Sequence, residues 1–192
     1  MKHIHANGVK HGDVKSPNIL LDGNRRAKVA DFGLAQVVKI TKSSKLEEAG
    51  GGSAPWAAPE VLDCNQNSRA SDVYSFGIVL WEILTLEKPW DGKEVEAIWC
   101  QVCLKEQRPP LPTASSTNSR FKKIISKCWA QDRRDRPTFE VLEDQASVYP
   151  LKRSHLLLVA CLTYYSRGIP NPDDFKGRNN FSHPFDSCSI LC

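Results

Sequence analysis

Apolar residues recur along this chain with the spacing of helices over most of its length. Residues 72–84 are apolar on almost every face, which predicts a helix buried inside a larger body. Two later segments repeat apolar residues at i, i+3, i+4 and i+7, so each is predicted to form a helix with one buried face. Their apolar positions are Val95, Ile98, Trp99 and Val102 in the first segment, and Phe121, Ile124, Ile125, Cys128 and Trp129 in the second. Thr138 can cap a last helix that carries Val141 and Leu142.

Two short apolar runs near the start have the length and composition of strands. They span residues 18–21 and 27–30, and the turn residues at 22–24 between them predict a hairpin. Residues 41–53, rich in glycine, serine and lysine, predict a loop. Towards the C-terminus, proline and glycine interrupt the chain often, which predicts an irregular tail of unknown role over residues 147–192. The predicted fold class is therefore mainly α with a small β-hairpin.

Composition and charge narrow the classes of partner. Of the 192 residues, 41% are hydrophobic and 25% are charged, as in ordinary globular domains. The net charge of +4 is mild and no basic run is present, so neither nucleic acid nor a membrane is an expected partner. The chain opens without a secretion signal, and its most apolar run, residues 156–162, is too short to span a bilayer. A cytoplasmic location is expected.

The cysteines predict reduced thiols. There are seven, an odd number, and their spacing does not resemble a disulfide framework. Cys100 and Cys103 form a CxxC pair, but a redox or zinc site would need a strand-to-helix context or a second pair of ligands. Because the pair lies within a helical pattern, we interpret it as two half-buried cysteines.

Three short motifs carry the candidate chemistry. They are HGDVKSPN at residues 11–18, DFG at residues 31–33 and APE at residues 58–60. Each alone would fit an ordinary turn, but in this order and strand context they resemble the catalytic loop, metal-binding loop and segment-end motif of protein kinases. The sequences at residues 71–77 and 128–138 extend the resemblance over roughly residues 1–146. Within that family the chain is similar to the tyrosine-kinase-like group, which includes Raf, mixed-lineage and plant Raf-like kinases.

The resemblance implies a role for each polar residue of these motifs. Phosphoryl transfer depends mostly on positioning and on stabilising charge. Asp13 would accept or orient the proton of the attacking hydroxyl, and Lys15 would place a positive charge near the phosphoryl oxygens. Asn18 and Asp31 would offer oxygen ligands to Mg²⁺. Lys15, Asn18, Leu20 and Asp31 together form the expected contact set for ATP and its metal.

Other residues of the resemblance indicate the class of substrate and the contacts that hold the site in place. Lys15, together with Ser53 in the following loop, resembles the pattern of Ser/Thr kinases, so a protein with Ser or Thr acceptors is the expected substrate. Glu60 and Arg136 match a family ion pair whose loss would cost about 3–5 kcal/mol if it is buried. Asp72 resembles the residue that bonds the catalytic-loop backbone from the buried helix.

The chain departs from the family pattern in two ways. Gly12 stands where an arginine is usual. The chain also opens at a segment that resembles the end of the helix before the catalytic loop, so the expected fold is the C-terminal lobe of the α+β kinase fold, with the N-terminal lobe absent. The Gly-rich loop, the strand lysine and the helix glutamate of that lobe are missing from these residues. We therefore expect little activity from the chain alone, and an exposed apolar patch at Ile19, Leu20 and Phe32.

Three hypotheses follow from the missing lobe, and the third is an inert relic that neither transfers phosphate nor binds partners. In the first, the chain is part of a Ser/Thr kinase and works with a first lobe supplied by the same protein or by a partner. In the second, it is a non-catalytic kinase-like binding module or scaffold, which docks partners through the helix that carries Val95, Ile98 and Trp99. The intact set of catalytic residues favours the first hypothesis.

Overall fold

The computed structural model describes residues 1–24, 26–32, 36–37, 51–113 and 119–147. Most of the predicted loop at 41–53 and almost all of the predicted tail lie outside the described residues. The α-helices are α1 (Lys2–Ala6), α2 (Pro59–Cys64), α3 (Arg69–Thr85), α4 (Val95–Trp99), α5 (Ser119–Cys128) and α6 (Phe139–Ser147). The strands are β1 (Val9–Lys10), β2 (Ile19–Leu21), β3 (Ala27–Val29) and β4 (Gln36–Val37). Short 3₁₀ turns cover Ser16–Asn18, Gly51–Trp56 and Arg133–Asp135.

The strands form two small antiparallel sheets. The predicted hairpin is confirmed: β2 pairs with β3, with Ile19 opposite Val29 and Leu21 opposite Ala27. A second sheet, in which β1 pairs with β4, is not predicted from the sequence. Strands of two residues are too short to show an alternating pattern, and their partners lie far apart in the chain.

Helix α3 is the centre of the fold, as its all-round apolar sequence predicts. It begins three residues before the predicted segment because Ser68 caps it: the Ser68 Oγ accepts from the Ser71 N–H at 3.1 Å, and the Ser71 Oγ accepts from the Ser68 N–H at 2.8 Å. It ends at Thr85, because the following residue, Leu86, has a left-handed φ of 62°. The core around it contains Val73, Tyr74, Ile78, Val79, Trp81, Ile98, Val102, Ile125 and Cys128.

The remaining predicted helices are also confirmed. Helix α4 continues through a π-helical turn at Cys100–Leu104, so that Ile98 and Val102 are both buried. The Thr138 Oγ1 accepts a hydrogen bond from the Val141 N–H at 3.3 Å, at the start of α6. Cys100 and Cys103 are free and half-buried, as expected. No helix within the described part of the chain is long and apolar enough to cross a membrane.

One predicted surface needs correction. Leu20 is 37% exposed and Phe32 is 48% exposed, but Ile19 is only 7% exposed and belongs to the core. Successive residues of a strand face opposite sides, so β2 turns Ile19 inward and Leu20 outward. The exposed apolar residues on this side of the hairpin are therefore Leu20 and Phe32, without Ile19.

Gly77 of α3 packs directly against the end of α5. A Cβ atom built on Gly77 would lie 2.7 Å from the Cβ of Cys128 and 3.3 Å from the backbone nitrogen of Trp129. Neither atom can move without moving the α5 backbone.

We expect Gly77→Val to lower the free energy of unfolding by about 1–3 kcal/mol, because the added atoms overpack this contact. Urea unfolding followed by circular dichroism measures the change. Gly23→Val is the matched control, since a Cβ at Gly23 meets no atom within 4 Å. Equal stability of the two variants would contradict the close contact.

Candidate functional site

A buried carboxylate on α3 holds the backbone of the 11–18 loop. The Asp72 Oδ2 accepts from the His11 N–H and the Oδ1 accepts from the Gly12 N–H, each at 2.8 Å. The His5 Nε2 of α1 also lies 2.8 Å from the Asp72 Oδ2. Gly12 has a φ of 83°, a left-handed conformation that glycine adopts without strain. The loop is therefore anchored by the buried helix α3.

His11 joins the 11–18 loop to the segment after the hairpin. Its ring is fully buried. The Nδ1 accepts from the Asp13 N–H at 3.2 Å, so the proton belongs on the Nε2, which donates to the Ala30 carbonyl at 3.2 Å. The ring centroid also lies 4.9 Å from that of Phe32. His11 thus sets the spacing between the loop and residues 30–32.

Three of the predicted site residues are in direct contact. The Lys15 Nζ lies 2.8 Å from the Asp13 Oδ2. The Asn18 Nδ2 donates to the same Asp13 oxygen at 3.0 Å and to the Asp13 carbonyl at 2.9 Å. Lys15 also donates to the Ser53 Oγ at 2.7 Å, which joins the loop to the 3₁₀ turn Gly51–Trp56. The result is a half-buried cluster of a carboxylate, an ammonium, an amide and a hydroxyl.

Asp31 is brought to this cluster through the backbone. The Ala30 N–H donates to the Asn18 carbonyl at 2.8 Å, so the chain enters Asp31 beside Asn18. Asp31 is exposed and has a left-handed φ of 62°. Leu20, the remaining predicted site residue, lies on the outer side of β2. The Gly33 of the DFG motif is outside the described residues.

The oxygen donors next to the cluster suit a hard divalent cation. Asn18 uses its amide group to donate to Asp13, so its Oδ1 is the atom available as a ligand. Together with the Asp31 carboxylate, it offers the one or two protein oxygens that Mg²⁺ uses when phosphates and water complete its shell. No cluster of three or more His, Cys, Asp or Glu residues that could hold a metal occurs in the described ranges. The donor set therefore fits Mg²⁺ bound together with phosphate.

One acidic residue beside this cluster belongs to none of the sequence motifs. Glu82 of α3 is only 2% exposed. Its Oε1 accepts from the Ser16 Oγ at 2.9 Å and its Oε2 from the Trp56 Nε1 at 2.8 Å. Burial raises the pKa of Glu82 to about 7, although both hydrogen bonds act to lower it. The only signal in the sequence is an acid near the end of a largely apolar helix.

The predicted ion pair between Glu60 and Arg136 is present. The Arg136 Nη1 and Nη2 donate to the two carboxylate oxygens of Glu60 at 2.6 and 2.8 Å. The remaining guanidinium donors reach backbone carbonyls of Ala70, Ala130 and Gln131 at 2.9–3.2 Å. The pair therefore ties the start of α2 to the chain just before α6.

Comparison with known proteins places this arrangement in a family. A family model described as "Protein tyrosine and serine/threonine kinase" matches residues 1–145. The chain is 41% identical to the "Dual specificity protein kinase shkC" of Dictyostelium discoideum over 68% of its own length, which is 26% of that relative. It is 35% identical to the "Serine/threonine-protein kinase CTR1" of Arabidopsis thaliana over 81% of its length, which is 20% of CTR1.

A longer match is found with a second plant protein. The chain is 39% identical to the "Serine/threonine/tyrosine-protein kinase HT1" of Arabidopsis thaliana over 99% of its length, and so beyond residue 146. The match covers 48% of HT1. The chain thus spans about half or less of these relatives.

Proposed function

The chain belongs to the protein tyrosine and serine/threonine kinase family, and from this we propose that residues 1–146 form the C-terminal lobe of a kinase catalytic domain. Its reaction is transfer of the γ-phosphoryl group of ATP to a Ser or Thr hydroxyl of a protein. The observation that carries the proposal is the contact of Lys15 with both the Asp13 carboxylate and the Ser53 hydroxyl, at 2.8 and 2.7 Å.

Asp13 is the residue that receives the proton. Lys15 and Asn18 both contact its Oδ2. The Oδ1 is therefore the oxygen that faces an acceptor hydroxyl. As the hydroxyl oxygen bonds to the γ-phosphorus, the bond from that phosphorus to ADP breaks and the hydroxyl proton passes to Asp13.

Lys15 and Ser53 support a Ser or Thr acceptor. Lys15 supplies a positive charge beside the transferring group, which stabilises the charge on its oxygens. Ser53 holds the 3₁₀ turn Gly51–Trp56 against the catalytic loop, and this turn would lie beside the acceptor. The relatives include both Ser/Thr and dual-specificity kinases, so phosphoamino-acid analysis is the direct test of the acceptor hydroxyl.

ATP and Mg²⁺ are the cofactors that the family generally uses. Asn18 and Asp31 would hold the metal. When bound, the metal would neutralise negative charge on the phosphates. Leu20 would contact the nucleotide from the outer side of the hairpin. Leu20 and Phe32 are also the exposed apolar residues on which a first lobe would pack.

We expect these 192 residues alone to transfer phosphate at least about a hundredfold more slowly than the same residues joined to a first lobe from an active kinase of this family. The reason is that the groups which neutralise the α- and β-phosphates lie in that lobe, and each such group is worth about 10²–10³ in rate. The measurement is transfer of ³²P from ATP with Mg²⁺ to myelin basic protein, followed by phosphoamino-acid analysis.

Each outcome of this experiment has a clear meaning. Phosphoserine or phosphothreonine formed only by the joined protein supports the proposal. Phosphotyrosine as the main product would contradict the Ser/Thr assignment. Failure of the joined protein, with the correct fold shown by circular dichroism, would favour the binding-module hypothesis. The binding-module hypothesis is tested by a pull-down, in which loss of bound partners on Trp99→Ala would support it.

A further inference from the structure

We propose that the outer face of α5 is a docking site for an acidic segment of a partner protein. Arg120, Lys123 and Lys127 form this face, and we call them the cationic face of α5. None of the three belongs to the cluster around Asp13, so the docking site is separate from the proposed reaction. It would hold a partner whether or not the chain transfers phosphate.

The helix gathers onto one side cations that are scattered in the sequence. Arg120, Lys123 and Lys127 are spaced at i, i+3 and i+7, and residues with this spacing share one face of a helix. All three side chains are exposed, whereas Ile125 and Cys128 on the other side of α5 are buried in the core. Apolar residues interrupt the cations along the chain, so they form no basic run. Only the helical conformation brings them together.

The net charge of the whole chain is concentrated in this helix. Besides the cationic face, α5 carries Lys122, which makes four cations, and it contains no acidic residue. Removing these four from the 26 Lys and Arg residues of the chain leaves 22, which equals the 22 Asp and Glu residues. The rest of the chain is therefore neutral in sum. A local excess of one sign attracts ligands of the opposite sign.

This arrangement of charges does not stabilise α5. Arg120 and Lys122 lie in the first turn, where the helix dipole favours acids over bases. Lys123 and Lys127 are like charges at i and i+4, which repel each other. Neither lysine side chain makes an ion pair or a hydrogen bond with any residue in the part of the chain that the structure describes. A local pattern that opposes its own helix is expected where function requires it, and here the missing counter-charge would come from a partner.

The cationic face suits an acidic peptide better than a membrane or a nucleic acid. A helix that binds a lipid surface inserts apolar side chains, and none of the exposed large apolar residues within the described ranges lies on α5. A nucleic-acid backbone is bound by a more extensive basic surface, which a chain with a neutral remainder does not offer. From Arg120 to Lys127 the helix rises about 10 Å, the length of about three residues of extended peptide. A short run of Asp or Glu therefore matches the face in charge and in length.

The docking site can be tested with the 192-residue chain and a fluorescein-labelled hexaglutamate peptide. Binding is measured by fluorescence anisotropy at about 50 mM NaCl, where exposed charges are weakly screened, and without ATP. The double variant Lys123→Gln, Lys127→Gln is expected to weaken binding about three- to tenfold, the effect of losing two exposed ion pairs. Its melting temperature should not fall, because glutamine and lysine have similar helix propensities.

The matched control removes the same charge from another surface. Lys88 and Lys93 are exposed and lie outside α5, so Lys88→Gln with Lys93→Gln should change the affinity by less than about twofold. Equal weakening by both double variants would mean that only the net charge matters and would overturn the proposal. Absence of saturable binding to hexaglutamate would also overturn it.

Two further probes separate the acidic peptide from other anions. Phosphatidylserine vesicles and a DNA duplex are measured with the same variants. Tighter binding of either one than of hexaglutamate, with the loss confined to the α5 variant, would assign the face to lipid or nucleic acid and overturn the proposal. Because these measurements need no phosphoryl transfer, failure of the proposed function is distinguishable from failure of the docking site.

Discussion

Asp13→Asn is expected to lower the rate of phosphoryl transfer by the chain joined to a first lobe about 10²- to 10⁴-fold, the usual contribution of a general base. Asparagine has nearly the same shape as aspartate. Its amide oxygen can keep the contacts that Lys15 and Asn18 make to the Oδ2. Its NH₂ group would take the place of the Oδ1, and an amide nitrogen cannot accept the hydroxyl proton. The substitution therefore removes the basic atom and leaves the loop in place.

The measurement is the initial rate of ³²P transfer to myelin basic protein at saturating ATP. The melting temperature and the KM for ATP should stay close to those of the parent, because neither the packing nor the nucleotide contacts change. Asp91→Asn, at an exposed position, is the matched control for loss of one negative charge. A variant that keeps more than about a tenth of the parent rate would show that Asp13 is not the base.

Arg136→Met is expected to lower the free energy of unfolding by about 3–5 kcal/mol. The Arg136 side chain is 0% exposed and that of Glu60 is 15% exposed, so the substitution strands a carboxylate away from water. Three backbone carbonyls lose their donors as well. Methionine fills much of the volume, so the loss reflects the stranded charge and the missing hydrogen bonds rather than a large cavity. The melting temperature should fall by roughly 6–20 °C.

Differential scanning calorimetry or urea unfolding measures this effect. Arg134→Met is the control: Arg134 bridges Asp132, but its side chain is 85% exposed, and exposed pairs contribute about 0–1 kcal/mol. The double variant with Glu60→Met should recover part of the loss, because it removes the stranded charge. Similar losses for Arg136→Met and Arg134→Met would contradict a buried ion pair. Together the two predictions separate residues that perform the reaction from residues that hold its support.

The helices were the most predictable part of the fold. The apolar residues of α3 and the one-sided pattern of α5 indicate burial directly, because the positions of a helix that face the core recur with the helical period. The hairpin was predictable for the same local reason, since turn residues stand between two apolar runs. The two-residue strands β1 and β4 carry no such period, and their pairing depends on where the rest of the chain brings them.

The candidate site was predictable in its members and in only part of its supports. Asp13, Lys15 and Asn18 lie within six residues, so a short loop is enough to bring them together, and family resemblance gave Asp72 and Arg136 their expected contacts. Nothing in the sequence indicates that His11 spans from Asp13 to Ala30. The contacts of Glu82 are not predictable, because an acid near the end of a largely apolar helix does not reveal which groups it meets.

The sequence by itself determined the helical faces, the hairpin, the family and the candidate residues of the 11–18 loop. These properties depend on the order of neighbouring residues, which is what periodicity and motifs record. Only the tertiary structure decided that Ile19 is core while Leu20 is exposed, and that one buried carboxylate joins Ser16 to Trp56. Such contacts connect segments that are far apart in sequence, and they arise from how packed helices place their side chains relative to one another. The physical reason is that a hydrogen bond forms within about 3 Å, a precision that only packing in three dimensions provides.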